Sequence, residues 1–177
     1  MKYLIALLCL TVFSFSASAQ ALTGDDIKNQ FVKDWTRAKA YTMEYLNAMP
    51  ADKYSFKAVD SIRSFAQQML HLAAGNMYLI STAAGQKPDF SFFGAEKRPG
   101  AQTKDSVVYY VMQSYDLALT TLSNLDPSTL GAMVTRGKEQ DTKYALFLKA
   151  FEHQTHHRGQ TTIYIRLLGI RPPAEQL

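Results

Sequence analysis

Cysteine is nearly missing from this sequence: Cys9 is the only one in 177 residues. A single cysteine makes no internal disulfide, no C-x-x-C redox pair and no four-cysteine zinc site. Charge is sparse as well. Only 19% of residues are charged and the net excess is +4. The Lys and Arg are spread along the chain, which gives no clustered footprint for nucleic acid. No internal repeat or low-complexity tract is visible, and no apolar run reaches the roughly 20 residues that span a bilayer comfortably. What is present is 47% hydrophobic residues and 12% aromatics, too many for a disordered chain. The length suits one domain, which should bury roughly 70% of its unfolded surface.

The N-terminus reads Met1-Lys2, an apolar run from Tyr3 to Phe15, then Ser16-Ala17-Ser18-Ala19 before Gln20. A short positive start, an apolar core and an A-x-A site are the pattern of a secretory signal peptide, cut after Ala19. A lipoprotein signal does not fit, because Cys9 lies inside the apolar run and Leu8 precedes it. The expected organisation is a signal peptide over residues 1–19 and one domain over 20–177. That makes the protein exported, periplasmic or extracellular, with no membrane attachment after cleavage. The cut removes Lys2 and leaves 18 basic against 15 acidic side chains, a net +3. It also removes Cys9, so the mature chain has no thiol for nucleophilic catalysis, iron–sulfur clusters or thiolate zinc.

The mature region reads as all-α. A first helix is predicted from Asp25 to Ala48, capped by Thr23 and stopped by Pro50, with Ile27, Phe31, Trp35, Ala38, Tyr41 and Tyr45 at helical spacing. A second is expected from Ser61 to Ala84, capped by Asp60 or Ser61 and closed by Gly85. A third runs from Lys104 to Leu125 behind Thr103, and a fourth from Asp141 to Leu168, stopped by Gly169. No stretch competes as a strand. Four rods of about 30–40 Å predict a four-helix bundle with long connections. Residues 126–140 are long enough to act as a crossover. The loop 86–102, with Phe90, Phe92 and Phe93, reads either as a lid or, preferentially, as an aromatic plug over an open end.

Of four histidines, His153, His156 and His157 fall within five residues, and His71 sits mid-helix in the second rod. His153 and His157 are one turn apart, on the face that also carries Leu146, Ala150, Tyr164 and Leu168. Two imidazoles so placed can share one metal ion. The spacing alone leaves a second reading open, in which they are ordinary histidines bonded to nearby carbonyls or hydroxyls. Burying two neutral rings requires partners for both, which a metal supplies at once. His71 lies about a quarter turn off its own apolar stripe, so periodicity does not aim it at the other two. Gly75 offers a place for a neighbouring helix to approach. Gln154 stands where a zincin carries its glutamate base, which disfavours ordinary zincin proteolysis. Five Glu and no Glu-x-x-His in the mature chain exclude a di-iron bundle.

Two stretches resemble the DinB/YfiT-like family of metal-dependent enzymes, which is unrelated to the DNA polymerase sharing the first name. One is Met49-Pro50-Ala51-Asp52-Lys53-Tyr54 leading to Ser64–His71. The other is His153–Gln160, ending in His157-Arg158-Gly159-Gln160, followed by Arg166, Gly169 and Pro172-Pro173. The resemblance implies a four-helix bundle that holds one divalent ion through His71, His153 and His157, with His156 a neighbour. It implies zinc or nickel, with iron also acceptable, and an open position for water or a small-molecule substrate. The activity class is a hydrolase or transferase. The alternative is a non-catalytic metal- or ligand-binding bundle, and a homodimer through an outer helix face is compatible with either. Glu44, Asp116, His156 and Gln160 are candidates to accept hydrogen bonds from the ligand rings. Arg158 is expected to pair or cap, and Gly159 to permit close helix contact.

Overall fold

A computed structural model describes residues 21–176. The expected signal peptide, residues 1–19, lies outside the described residues. Four long helices account for most of the rest: α1 (Gly24–Ala48), α2 (Phe65–Ala84), α3 (Lys104–Ser123) and α4 (Lys143–Leu167). Each starts at a side-chain cap. Thr23 accepts from Asp26 N, Ser64 from Gln67 N, Thr103 from Ser106 N and Thr142 from Ala145 N, which satisfies N–H groups that the first turn leaves free. Two starts differ from the sequence reading. α2 begins four residues later than expected, at Phe65, because Ser64 and Gln67 form a reciprocal capping box (Ser64 N donates to Gln67 Oε1 at 2.9 Å) that Asp60 and Ser61 do not. α4 is capped by Thr142 and excludes Asp141, whose carboxylate is taken by Arg136 and Lys149.

The helices form a four-membered ring. α2 packs between α3 and α4, and α1 packs on α3 and α4 from the other side. The core is aromatic at its centre, where the Trp35 ring meets Tyr115 and Phe151, each at 5.6 Å. Thr42, Tyr115, Gln154 and Arg158 form a buried polar network in the same layer. Tyr115 Oη donates to Gln154 Oε1 at 2.7 Å and lies 2.7 Å from Thr42 Oγ1. Among the described residues no helix is long and apolar enough to cross a membrane.

The crossover lies elsewhere than the sequence indicates. Residues 126–142 stay at one end of the bundle. They hold a one-turn 3-10 helix (Pro127–Thr129) and a hairpin of β1 (Met133–Arg136) and β2 (Glu139–Thr142), paired antiparallel with Arg136 opposite Glu139. Gly137 takes φ +63°, and no non-glycine residue has positive φ among the described residues, so the two-residue turn is of type II′. The strands were missed because they are four residues long and largely polar, and none of their residues is buried, so no core-facing side imposes alternation.

Residues 85–103 make the crossover instead. This segment leaves α2 at Gly85 and runs back along the outside of α2. Asp89 meets Met77, Phe93 meets Tyr78 at 6.4 Å between rings, and Glu96 reaches His71 and Arg63. It then delivers α3 beside the start of α2, where Lys104 Nζ donates to the Met49 carbonyl. It is neither an end plug nor a detached lid. Phe92 is its anchor, buried against Tyr110 at 5.0 Å, whereas Phe90 is 73% exposed. Bundle topology is therefore up-down-down-up, with α2 and α3 parallel.

Candidate metal centre

α4 presents His153 and His157 inward, on the face that buries Leu146, Ala150 and Tyr164. α2 presents His71 toward them. α2 buries residues around most of its circumference, because α3, α4 and the crossover strap enclose it. A side chain a quarter turn from the main stripe is therefore still interior. The three rings lie 4.5 Å (His153 to His157), 4.6 Å (His71 to His157) and 5.3 Å (His71 to His153) apart between centroids. One ligand nitrogen from each falls within 4.8 Å of the others, close enough for one ion to be shared.

Gly75 creates the room. A Cβ at that position would overlap the His153 ring, with Nε2 at 2.9 Å and two further ring atoms closer still. The glycine one turn after His71 thus lets the α4 histidine approach the α2 backbone with its Nδ1–Cε1–Nε2 edge. Gly159, expected to do a similar job, does not: a Cβ there meets nothing within 4 Å. Its backbone is ordinary helix, so Gly159→Ala is expected to stabilise the protein by about 0.5–1 kcal/mol, read as a higher urea midpoint at unchanged slope.

Each ring has a distinct polar environment. His157 Nδ1 donates to Gln68 Oε1 at 2.8 Å, and His71 Nδ1 faces Glu96 Oε2 at 3.1 Å. A neutral imidazole with its proton on Nδ1 keeps a lone pair on Nε2. Arg63 binds the same Glu96 oxygen at 3.1 Å, and its carbonyl accepts from Tyr164 Oη at 2.7 Å, so the carboxylate is held from both sides. His153 Nδ1 is buried with no hydrogen-bond partner. An orphaned, buried ring nitrogen in a cluster of three is what a cation would satisfy.

The electrostatics keep the rings uncharged. Burial is the main cause for all three. It holds His153 down to about 4 and His157 to about 3, with further depression from the neighbouring histidines and Arg63. His71 is also lowered, by burial and then Arg63, with Glu96 opposing. A histidine in the unfolded chain takes a proton near pH 6.5, whereas folded His153 resists it until about pH 4 and folded His157 until about pH 3. Below pH 6.5 the unfolded state therefore binds more protons. Metal-free protein is expected to be fully stable above pH 6.5 and to lose stability steadily as pH falls toward 4. Urea midpoints measured with chelator at pH 7.5, 6 and 5, where carboxylates remain ionised, check this; a flat profile contradicts it.

The other residues singled out from sequence fall differently. Glu44 accepts from Gln176 Nε2 at 2.8 Å on the far side of α1, and Asp116 pairs with Lys39. Neither reaches a histidine, because both project from exposed helix faces. His156 packs edge-on against His157 at 4.9 Å, but its Nε2 is 3.0 Å from Gln160 Nε2, so these two residues engage each other. Arg158 is buried in the Gln154 network instead of pairing with an acid or capping. The groups that do contact the ligand rings, Gln68 and Glu96, were missed. Gln68 is one turn before His71 and was open to discovery on that spacing. Glu96 sits in an irregular strap with no local signal.

With the geometry in place, the comparisons define the class. The sequence matches the DinB family profile over residues 20–176, and the chain belongs to the DinB family. Its fold is similar to that of a DinB-like protein from Bacillus cereus (TM-score 0.70, 16% identity, 84% of this chain and 97% of that one). It is also similar to a conserved protein from Enterococcus faecalis (0.66, 16%, 84% and 99%). A DinB-like protein from Bacillus subtilis matches at 0.59 with 21% identity, over 80% and 92% of the two chains. A comparison with curated proteins finds no significant match.

Proposed function

We propose that His71, His153 and His157 hold one divalent cation and that the protein acts on a small molecule at that centre, as a hydrolase or transferase. The observation that carries this is the unpartnered His153 Nδ1 within a cluster of three neutral rings, with the missing Cβ of Gly75 leaving the space that the His153 ring occupies. The donor set, all nitrogen, suits zinc or nickel and accepts iron. Bound there, such an ion supplies Lewis acidity at the coordination position that three protein ligands leave open.

The remaining residues prepare the ligands. Gln68 fixes the tautomer and tilt of His157, and Glu96 does the same for His71 while Arg63 balances its charge. A cavity of about 250 Å³ opens beside His71, walled by Leu70, Ala74, Tyr78 and Phe93. Its mainly apolar walls suit a small apolar group next to the cluster. Glu96→Gln is expected to weaken zinc binding roughly 10–100-fold without unfolding the protein, measured by competition with a chelator.

The alternative, a non-catalytic metal-binding bundle, draws on one observation. Glu96 is the carboxylate nearest the rings, and both Arg63 and His71 occupy it. Among the described residues no other carboxylate pairs with the three rings. Cobalt(II) substitution separates the two readings. An enzyme with an open position should change its visible spectrum when azide or a small thiol is added and should turn over a member of a broad substrate panel. A closed binding site should do neither.

We also infer that the protein is exported. The family match begins at residue 20, immediately after the expected cleavage point, which supports a leader ahead of the domain. N-terminal sequencing of the mature protein, with Gln20 as its first residue, is the expected result.

A further inference from the structure

On the opposite face of α4 from the histidines lies a cavity of about 500 Å³, bounded by α1, α4 and the C-terminal segment. Arg158 projects from α4 into its lining and is only 9% exposed. A guanidinium buried to this degree normally sits against a carboxylate. Here none lies within ion-pair distance among the described residues. Its Nη1 donates to Gln154 Oε1 at 3.0 Å and to Thr42 Oγ1 at 3.4 Å, and the cation rests 4.7 Å from the centre of the Tyr41 ring.

Its Nε and Nη2 make no hydrogen bond to a described protein atom. These two N–H groups share one edge of the guanidinium, the edge that meets a carboxylate through two parallel bonds. Arg37 and Arg166 also line the cavity, against one acid, Glu175. Arg37 is already committed, to Asp34 at 2.9 Å and the Gln176 carbonyl at 2.6 Å, so it anchors the C-terminal segment while Arg158 remains available. The rest of the lining includes the rings of Tyr41, Tyr45 and Phe151 and the Pro172-Pro173 pair. Its volume is that of a small-molecule site.

We propose that this cavity binds a small organic acid, a carboxylate carried on an apolar body about the size of one ring. The carboxylate seats on the Nε–Nη2 edge of Arg158, and the body lies against Tyr41, Tyr45 and the two prolines. No residue of this cavity is a member of the histidine cluster, so the proposal does not depend on the metal reading.

The test is calorimetric titration of the purified protein with benzoate and phenylacetate, and with benzyl alcohol as the uncharged control. The acids are expected to bind in the millimolar range or tighter, and the alcohol roughly tenfold more weakly or worse. Arg158→Gln should abolish the difference. Because Arg158 belongs to a buried network, a second variant guards against misfolding. Gly159→Leu places a side chain into the cavity from a position where a Cβ meets no neighbour. It should weaken benzoate at least about tenfold while zinc uptake stays as in wild type and the thermal midpoint does not fall. Benzoate binding that is absent from wild type, equal to that of benzyl alcohol, or undiminished in Gly159→Leu overturns the proposal.

Discussion

Gly75→Ala is expected to abolish metal binding, although alanine is the better helix former. In an unconstrained helix this change would stabilise by about 1 kcal/mol. Here the new Cβ occupies the position of the His153 ring. The ring cannot move deeper, because α2 and α4 are in direct contact along this face. Either His153 swings out of the cluster or the helices separate. Overpacking of this kind costs about 1–3 kcal/mol, which outweighs the propensity gain. Losing one of three ligands should weaken the metal by at least about 100-fold. The sign of the stability change should reverse in a His153→Ala background, where the alanine meets no ring and recovers its helical advantage of about 0.5–1 kcal/mol. Urea denaturation of the four proteins of this cycle checks the argument. Gly75→Ala that destabilises equally in both backgrounds would show that the glycine serves backbone packing, not the histidine.

His153→Ala and His157→Ala carry the second large effect, and they should differ in the metal-free state. His153 has an unpartnered, buried Nδ1, so removing it also removes a desolvated polar group. His157 donates to Gln68, which is itself buried, so His157→Ala strands the Gln68 amide and should cost about 1–3 kcal/mol more. With zinc present the two variants converge. Wild type at a free zinc concentration of 1,000 times Kd gains about 4 kcal/mol, and neither variant should gain it. Thermal unfolding with and without zinc makes the comparison. A full zinc-dependent shift retained in either variant would remove that residue from the ligand set.

How far the sequence carries depends on the kind of information each element needs. The four rods were legible because each pairs a helical apolar stripe with a local cap, and caps are short-range. The two displaced helix starts show the limit, since several cap residues stand in a row; a reciprocal box selects Ser64 for α2, and the pairing of Asp141 with Arg136 and Lys149 leaves Thr142 to cap α4. His153 and His157 were legible as a pair because one helix sets both directions. His71 was not aimed by its own stripe. Its direction depends on α2 being enclosed by two helices and the strap, a property of the assembled bundle. Gly75 was legible as a place of close approach, but not which ring fills it. Glu96 was beyond reach, because its position follows from the path of an irregular crossover that returns along α2. Glu44 and Asp116 illustrate the opposite error. Carboxylates on long amphipathic helices are far more often solvated than turned toward a site.

The central claim is that the three histidines hold a metal ion. Elemental analysis of the purified protein, run beside the three single His→Ala variants, tests it most directly. About one divalent ion per wild-type chain, and well under a tenth of that in His71→Ala, His153→Ala and His157→Ala, is the expected result for a site of three ligands. Wild-type protein that holds no stoichiometric metal and shows no change in thermal midpoint on addition of zinc or nickel would contradict it.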